Sequence, residues 1–421
     1  LLGGLFLAAQ ATTVAAQERE LLTLEDALSR SGVTGEVDEI SANPRMVGPR
    51  AEADAARSLV GQARLRPNPE VSFEVENIAG SGAFSGLRAT EYTLAVGQRL
   101  ELGNKRGTRV EAARAQAQLA NLRADLSDVE LGYLVRERYV AAAAAASRVE
   151  LARDVVERNE ELARIAGLLV EVGREPPLRA LRAEAALAEA RAELQASQAA
   201  SLAARTALAS LWGVQDVPPV VPADFPDIRP PGVALAAARG LQLRVARAES
   251  RAAAADIDRE RSLRVPDPVV SAGVRRFEES NDNAFLVGVS IPLPFSNRNQ
   301  GNIAAAHAEY EAGVLQQQLT QTELRMALLE IYQAMRNNHQ QIDRLQKTLT
   351  PLTQELLKQT EAGYQSGQYN VLQWIDAQRE AFTVERDLIE AQTAVHTQLL
   401  ELERLTGMPL SRSIFTASYQ E

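Results

Sequence analysis

Pro67-Asn68-Pro69-Glu70-Val71-Ser72 returns later in the chain as Pro266-Asp267-Pro268-Val269-Val270-Ser271, and this echo decides how the sequence is read. Farther on, Asn104-Lys105-Arg106-Gly107 is answered by Asn297-Arg298-Asn299-Gln300-Gly301. Val172-Gly173 is answered by Ser366-Gly367, and Leu211-Trp212-Gly213 by Leu405-Thr406-Gly407. The glycine pairs Gly107/Gly301, Gly173/Gly367 and Gly213/Gly407 keep one constant spacing, which chance would not hold over so long a stretch. The chain is therefore two copies of one unit, over residues 44–213 and 233–407. They are joined by Val214 to Gly232, a Pro-rich segment unsuited to regular helix. Residues 17–43 precede the first copy, and a tail, 408–421, follows the second.

Each copy has the same order of elements: a helix, two strands separated by a polar loop, a very long helix, a glycine turn and a returning helix. In the first strand Val71, Phe73 and Val75 alternate with Ser72, Glu74 and Glu76, the period of a half-buried strand. Strands are expected over 70–78 and 90–100, and over 268–277 and 284–292. Segments of about ten residues, apolar on one face and polar on the other, are what membrane barrel strands look like. A soluble hairpin with one wet face shares that pattern. Long helices are expected over 104–170 and 298–365, with returns over 177–212 and 370–406. At about 1.5 Å rise per residue the long helices reach roughly 100 Å. Leu119, Leu122, Leu126, Val129 and Tyr133, and later Ile342, Leu345, Leu349, Leu352 and Leu356, read as heptad seams for side-by-side packing.

Composition agrees with this rod-like reading. Ala, Leu, Glu, Arg and Gln dominate, and aromatic residues make up only 5%, the profile of long helices. A formal net charge of −10 argues against a nucleic-acid partner, which would need a basic surface. The chain has no cysteine, which excludes disulfides, thiolate metal sites and a thiol nucleophile. An apolar run from Leu1 to Ala9, closing on Val14-Ala15-Ala16 before Gln17, reads as the end of a secretory signal peptide over 1–16. No later stretch has the roughly 20 apolar residues of a membrane helix, so a membrane-embedded form must use strands. Four strands cannot close a barrel, and an open edge in lipid leaves backbone groups unpaired at several kcal/mol each. Other copies of the chain must then complete the sheet.

The residues also carry a family resemblance. Asn68-Pro69-Glu70-Val71-Ser72-Phe73-Glu74-Val75-Glu76-Asn77, Leu100-Glu101-Leu102-Gly103-Asn104-Lys105-Arg106 and Ile291-Pro292-Leu293-Pro294-Phe295-Ser296-Asn297-Arg298-Asn299-Gln300-Gly301-Asn302-Ile303 resemble the TolC-type outer-membrane factors. Within that family they are most similar to the cobalt–zinc–cadmium efflux, or CzcC-like, branch. The resemblance covers essentially the whole chain. It implies a mainly α fold with membrane β: duplicated helical hairpins forming an α-barrel tunnel, and four strands per chain in a trimeric twelve-stranded outer-membrane barrel. An equatorial layer would come from residues 17–43, the 214–232 linker and the tail. The implied protein sits in the outer membrane of a Gram-negative bacterium and extends into the periplasm. Its implied partners are two further copies, outer-membrane lipid, a periplasmic adaptor and an inner-membrane RND pump.

The family also implies roles for single residues. Val172-Gly173-Arg174 and Ser366-Gly367-Gln368 occupy the periplasmic tips where an adaptor docks. Glycine fits a sharp helical hairpin because it adopts positive φ freely, which by itself supports only a turn. Asn370-Val371-Leu372-Gln373-Trp374-Ile375-Asp376 resembles the gate segment, in which acids three residues apart project into the tunnel. Here Gln373 replaces the first acid and Asp376 retains the second. Tyr364 matches a tyrosine that helps hold the tip closed.

Other features carry less. His307 and Glu311 have a helical i, i+4 spacing, but one imidazole and one carboxylate are a common accident on a helix. His396 falls beside an apolar stripe, as a packed imidazole would. No nucleophile–base arrangement or phosphate loop stands out, so neither an enzyme nor a cofactor is expected. The reading is a passive efflux duct for cations such as cobalt, zinc and cadmium. Two alternatives stay open: the same duct carrying drugs or secreted polypeptides, and a soluble periplasmic coiled-coil scaffold or adaptor.

Overall fold

The structure is a computed structural model that describes residues 21–33, 43–212, 220–223 and 240–407. The expected signal segment, most of the linker and the C-terminal tail lie outside these residues. The described chain runs α1 (Leu24–Arg30), α2 (Pro44–Ala63), β1 (Glu70–Glu76), β2 (Glu91–Arg99), α3 (Lys105–Glu171) and α4 (Pro177–Ala209). The second repeat supplies α5 (Leu241–Ser262), β3 (Val269–Phe277), β4 (Asn283–Ser290), α6 (Gln300–Arg344), α7 (Thr350–Gln365) and α8 (Val371–Thr406).

The strands make one antiparallel sheet in the order β1-β2-β3-β4. Its register stacks Val71 on Val96, Val96 on Ala272 and Ala272 on Val287, and likewise Phe73, Leu94, Val274 and Phe285. These side chains share one face because alternate residues of a strand point the same way. That face is an exposed apolar band, with Phe285 at 89% and Val287 at 82% exposure. A contiguous band of this kind on a sheet marks a membrane or protein contact and is foreign to the water-facing side of a soluble scaffold. The opposite face is mostly polar or small, with exceptions such as Phe277 and Leu286. There Arg275 reaches across strands to Glu76 and Glu91, both at 2.8 Å, and donates to Thr93 Oγ1 at 2.9 Å.

Both long helices leave the sheet through the same corner. Asn104 and Asn299 take left-handed φ values of 58° and 59° immediately before α3 and α6, a conformation asparagine tolerates better than most residues. This pairs Asn104 with Asn299 and not with Asn297, one residue off the constant glycine spacing. Gly107 and Gly301 are accordingly not equivalent. A Cβ at Gly107 would strike the Asn104 amide, whereas the space around Gly301 is open.

Near the sheet, α2, α3, α5 and α6 lie side by side; toward the glycine turns the neighbours are α4, α3, α8 and α7. The helices thus form one layer. At the level where α2 gives way to α4, Leu22, Met46, Val135, Tyr139, Leu208 and Val221 form a buried cluster. Ala142 to Ala145 of α3 are all buried there, their small side chains allowing close approach. Leu22 N–H donates to Val220 O at 2.8 Å, and Tyr139 Oη donates to Leu22 O at 3.1 Å. Residues 21–33 and 220–223 therefore belt the helices at mid-height.

One expectation is corrected. The helix over 298–365 is not a single α-helix, because Leu345–Leu349 form a π turn between α6 and α7. Pro351 explains its place: a proline cannot donate to the carbonyl four residues back and its ring crowds it. The π turn under-rotates the chain by about one residue, so the heptad seam does not continue through it. Ile342 and Leu345 are buried, but Leu349, Leu352 and Leu356 are exposed, and Thr353, Thr360 and Tyr364 take their place inside.

Gly273 lies at the centre of the sheet, where a Cβ would sit 2.6 Å from Leu94 O and 2.7 Å from Ala95 Cβ. Gly273→Val is expected to force β2 and β3 apart and abolish the protease-resistant folded form of the detergent-purified protein. Retention of that form at wild-type level would contradict the register.

Candidate functional site: helix tips and the wall above them

The two ends of the helical layer farthest from the sheet are built alike. After α3, Gly173 takes φ 73°, Arg174 N–H donates to Leu169 O at 2.9 Å and Gly173 N–H to Val170 O at 3.0 Å. After α7, Gly367 takes φ 82°, Gln368 N–H donates to Gly363 O at 2.8 Å and Gly367 N–H to Tyr364 O at 3.0 Å. Both are Schellman caps, which satisfy the last carbonyls of a helix and need a residue free to adopt positive φ. Val172, Arg174, Ser366 and Gln368 are exposed around them. The tips lie side by side, because a Cβ on Gly367 would stand 3.8 Å from the Arg174 guanidinium.

The return helices start differently. α4 opens on Pro177 at its first position, where a missing N–H is harmless. α8 opens on a capping box: Asn370 Oδ1 accepts from Leu372 and Gln373 N–H, and Gln373 Oε1 accepts from Asn370 N–H at 2.9 Å. The Gln373 side chain is thereby tied to its own helix end. Asp376 is exposed one turn on and has no hydrogen-bond or ion-pair partner among the described residues.

Tyr364 does not lie on that face. It is 1% exposed, with its ring 5.2 Å from that of Trp374, in a cluster with Leu162, Ala166, Ala183, Val371 and Ile375 that joins both hairpins. Its hydroxyl and the Trp374 indole N–H have no partner among the described residues. Burial raises the Tyr364 pKa above the ordinary phenol value; Glu175 adds to that and Arg179 opposes it. Sequence reasoning missed Trp374 as part of this cluster. Beside it Gly363 leaves room for the Tyr369 ring, which a Cβ there would meet at 2.5 Å from Cε2 and displace.

Above the tips a cleft of about 570 Å³ runs between α4 and α8 over α3, lined by Asp154, Arg158, Glu189, Arg379, Glu385 and Arg386 among others. Arg379 bridges it to Glu189 at 2.9 Å. Burial raises the Glu385 carboxyl above the usual carboxylate range, Arg158 opposing and Asp154 assisting. Nothing in the sequence pattern signals this cleft, which joins residues from three helices.

His307 is not near a second imidazole; its Nε2 faces the Arg261 guanidinium at 3.0 Å. Among the described residues no group of three or more His, Asp or Glu side chains is placed to hold a metal, and no helix is long and apolar enough to cross a membrane. What remains is a wall: a layer of helices hung from a sheet with a lipid-like face outside and a polar face within.

Known proteins share this wall. The family described as "Outer membrane efflux protein" matches residues 37–214 and 233–408, one segment for each repeat. The cobalt-zinc-cadmium resistance protein CzcC of Cupriavidus metallidurans is 28% identical over 402 residues, covering 92% of this chain and 90% of the relative. The nickel and cobalt resistance protein CnrC of the same organism is 33% identical over 278 residues, 62% of this chain and 63% of the relative. Among solved structures, CusC superposes with a TM-score of 0.76 at 17% identity, covering 91% of this chain and 92% of that one. VceC of Vibrio cholerae gives 0.75 at 18% identity, covering 91% and 96%. The structural likenesses establish a TolC-type fold, and with the family match over both repeats the chain belongs to the outer membrane efflux protein family, as an outer-membrane channel that extends into the periplasm.

Proposed function

We propose that three copies of the chain close into one continuous duct that exports heavy-metal cations, such as cobalt, zinc and cadmium, from a tripartite system. A periplasmic adaptor and an inner-membrane RND pump complete that system. The observation that carries closure is the pair of free sheet edges. β1 and β4 lie at opposite ends of the sheet and run in opposite directions, so β4 of one copy meets β1 of the next as an antiparallel neighbour. Closure is the only arrangement that leaves no unpaired edge in lipid. The helices support the same reading. The layer ends on exposed apolar stripes: Leu178, Leu181 and Leu202 of α4 on one side, and Leu349 of the π turn with Leu352 and Leu356 of α7 on the other. Three copies of four strands give twelve, an even number as antiparallel closure requires.

The metal cargo is supported by the relatives that carry metal resistance in their names. The gate is assigned to Asp376, whose exposed carboxylate would recur three times around the axis, with Gln373 on the same face. Tyr364 would hold the second hairpin against the first through its buried ring. Val172, Gly173, Arg174, Ser366, Gly367 and Gln368 would present the docking surface to the adaptor.

Purification in detergent with a mass measurement is expected to give three times the mass of the processed chain; a monomer would overturn the duct. In planar bilayers Asp376→Asn is expected to weaken block of the channel by divalent and trivalent cations. Unaltered block would remove Asp376 from the constriction. Deleting the gene is expected to lower tolerance to cobalt, zinc or cadmium, and unchanged growth on all three would refute the cargo.

A further inference from the structure

We infer that the collar where the strands pass into the helices binds the anionic phosphate headgroups of phospholipids in the periplasm-facing leaflet. The inference rests on the outer-membrane placement and goes beyond it by naming a ligand class and its residues. Each repeat contributes one cleft at this level. The first, of about 790 Å³, lies between the end of α2 and the start of α3 and includes Arg64, Arg66 and Arg106 in its lining. The second, of about 610 Å³, lies between the end of α5 and the start of α6. It is lined by Arg264, Ser296, Arg298, Gln300 and His307, with no acidic residue.

The nearby carboxylates are already engaged. Glu101 holds Arg109, Glu111 holds Arg114, Asp267 holds Lys105 at 2.6 Å, and Asp258 lies 3.5 Å from Arg261. Arg64, Arg66, Arg106, Arg264 and Arg298 are exposed and have no acidic partner among the described residues. In a chain of formal net charge −10, these five arginines without an acidic partner gather on one collar.

Their surroundings identify the ligand as lipid. Ile291, Leu293 and Phe295 continue the outward alternation of β4 past the end of the strand, Phe295 at 79% exposure. Leu65, Leu100 and Leu263 are exposed beside the other arginines. Arg298 Nε donates to Pro294 O at 3.3 Å, which holds its guanidinium against this apolar segment. Apolar side chains at acyl depth with guanidinium groups just beyond them match the layering of a phospholipid leaflet. The planar guanidinium pairs with phosphate through two parallel hydrogen bonds, a geometry that choline-masked or purely apolar ligands do not reward equally.

The test uses the full chain purified in neutral detergent, supplied with phosphatidylglycerol, phosphatidylcholine or inorganic phosphate. Retained lipid is read by native mass spectrometry and stability by thermal unfolding. Phosphatidylglycerol is expected to be retained in severalfold excess over phosphatidylcholine and to raise the unfolding temperature. Arg264→Gln/Arg298→Gln and Arg66→Gln/Arg106→Gln are each expected to lose most of that excess while keeping the wild-type assembly mass. The matching Arg→Lys pairs keep part of it and report on folding. Equal retention of the two lipids, unchanged retention by both Gln pairs, or equal stabilisation by inorganic phosphate would each overturn the assignment. A wild-type monomer would refute the trimer and leave the lipid ratio per chain still readable.

Discussion

Inside lipid, a strand's N–H and C=O groups have no water to turn to, and this constraint organises the rest of the molecule. A four-stranded sheet satisfies its interior and leaves the outer edges of β1 and β4 unpaired. Each unpaired group in hydrocarbon costs several kcal/mol, far more than a surface contact contributes. The apolar band from Val71 to Val289 commits the sheet to lipid, and the open edges are what the proposed closure with further copies would satisfy. Neither statement holds alone, because a polar sheet could leave its edges in water.

The helices inherit their placement from that sheet. Two asparagines in left-handed corners aim α3 and α6 away from the membrane, and a buried bridge from Lys105 to Asp267 fastens the first repeat to the second. Asp267 also accepts Leu102 N–H at 3.0 Å, so one carboxylate serves a cation and a backbone donor from the other repeat. Such a pair is expensive to desolvate, and the second donor on the same Oδ1 helps to offset that cost. From there the layer extends by helix packing alone, with the alanines of α3 allowing the mid-height belt to sit close.

The duplication is near but not perfect: beside the sheet the repeats slip by one residue at Asn104 and Asn299, and farther down the helices differ in their packing. Only the second hairpin carries a π turn, and Pro351 accounts for it locally. Its effect on packing is larger than its size. A rotation of about one residue turns three leucines out of the hairpin and brings Tyr364 into contact with Trp374. The first hairpin has a plain α-helix in the same place, so the two tips share a cap while their walls differ.

Much of this was legible in residues. Period-two alternation gave the strand faces because a strand's side chains can only alternate, and Gly173 and Gly367 marked the turns because few residues accept positive φ at low cost. The repeat gave the architecture, since two like sequences in one layer must pack alike. What sequence could not decide were matters of rotation and of assembly in space. The heptad run through Leu349, Leu352 and Leu356 looked continuous because the pattern does not record where a helix under-rotates. Gln373 looked like a free member of a ring until the capping box tied its side chain to Asn370. The cleft containing Glu385 and the Arg264–Arg298 pocket join residues far apart in the chain, and only the folded layer brings them together. Local backbone chemistry is written residue by residue, whereas helix phase and long-range proximity are set by the sum of many contacts; the sequence determined the first and the tertiary structure the second.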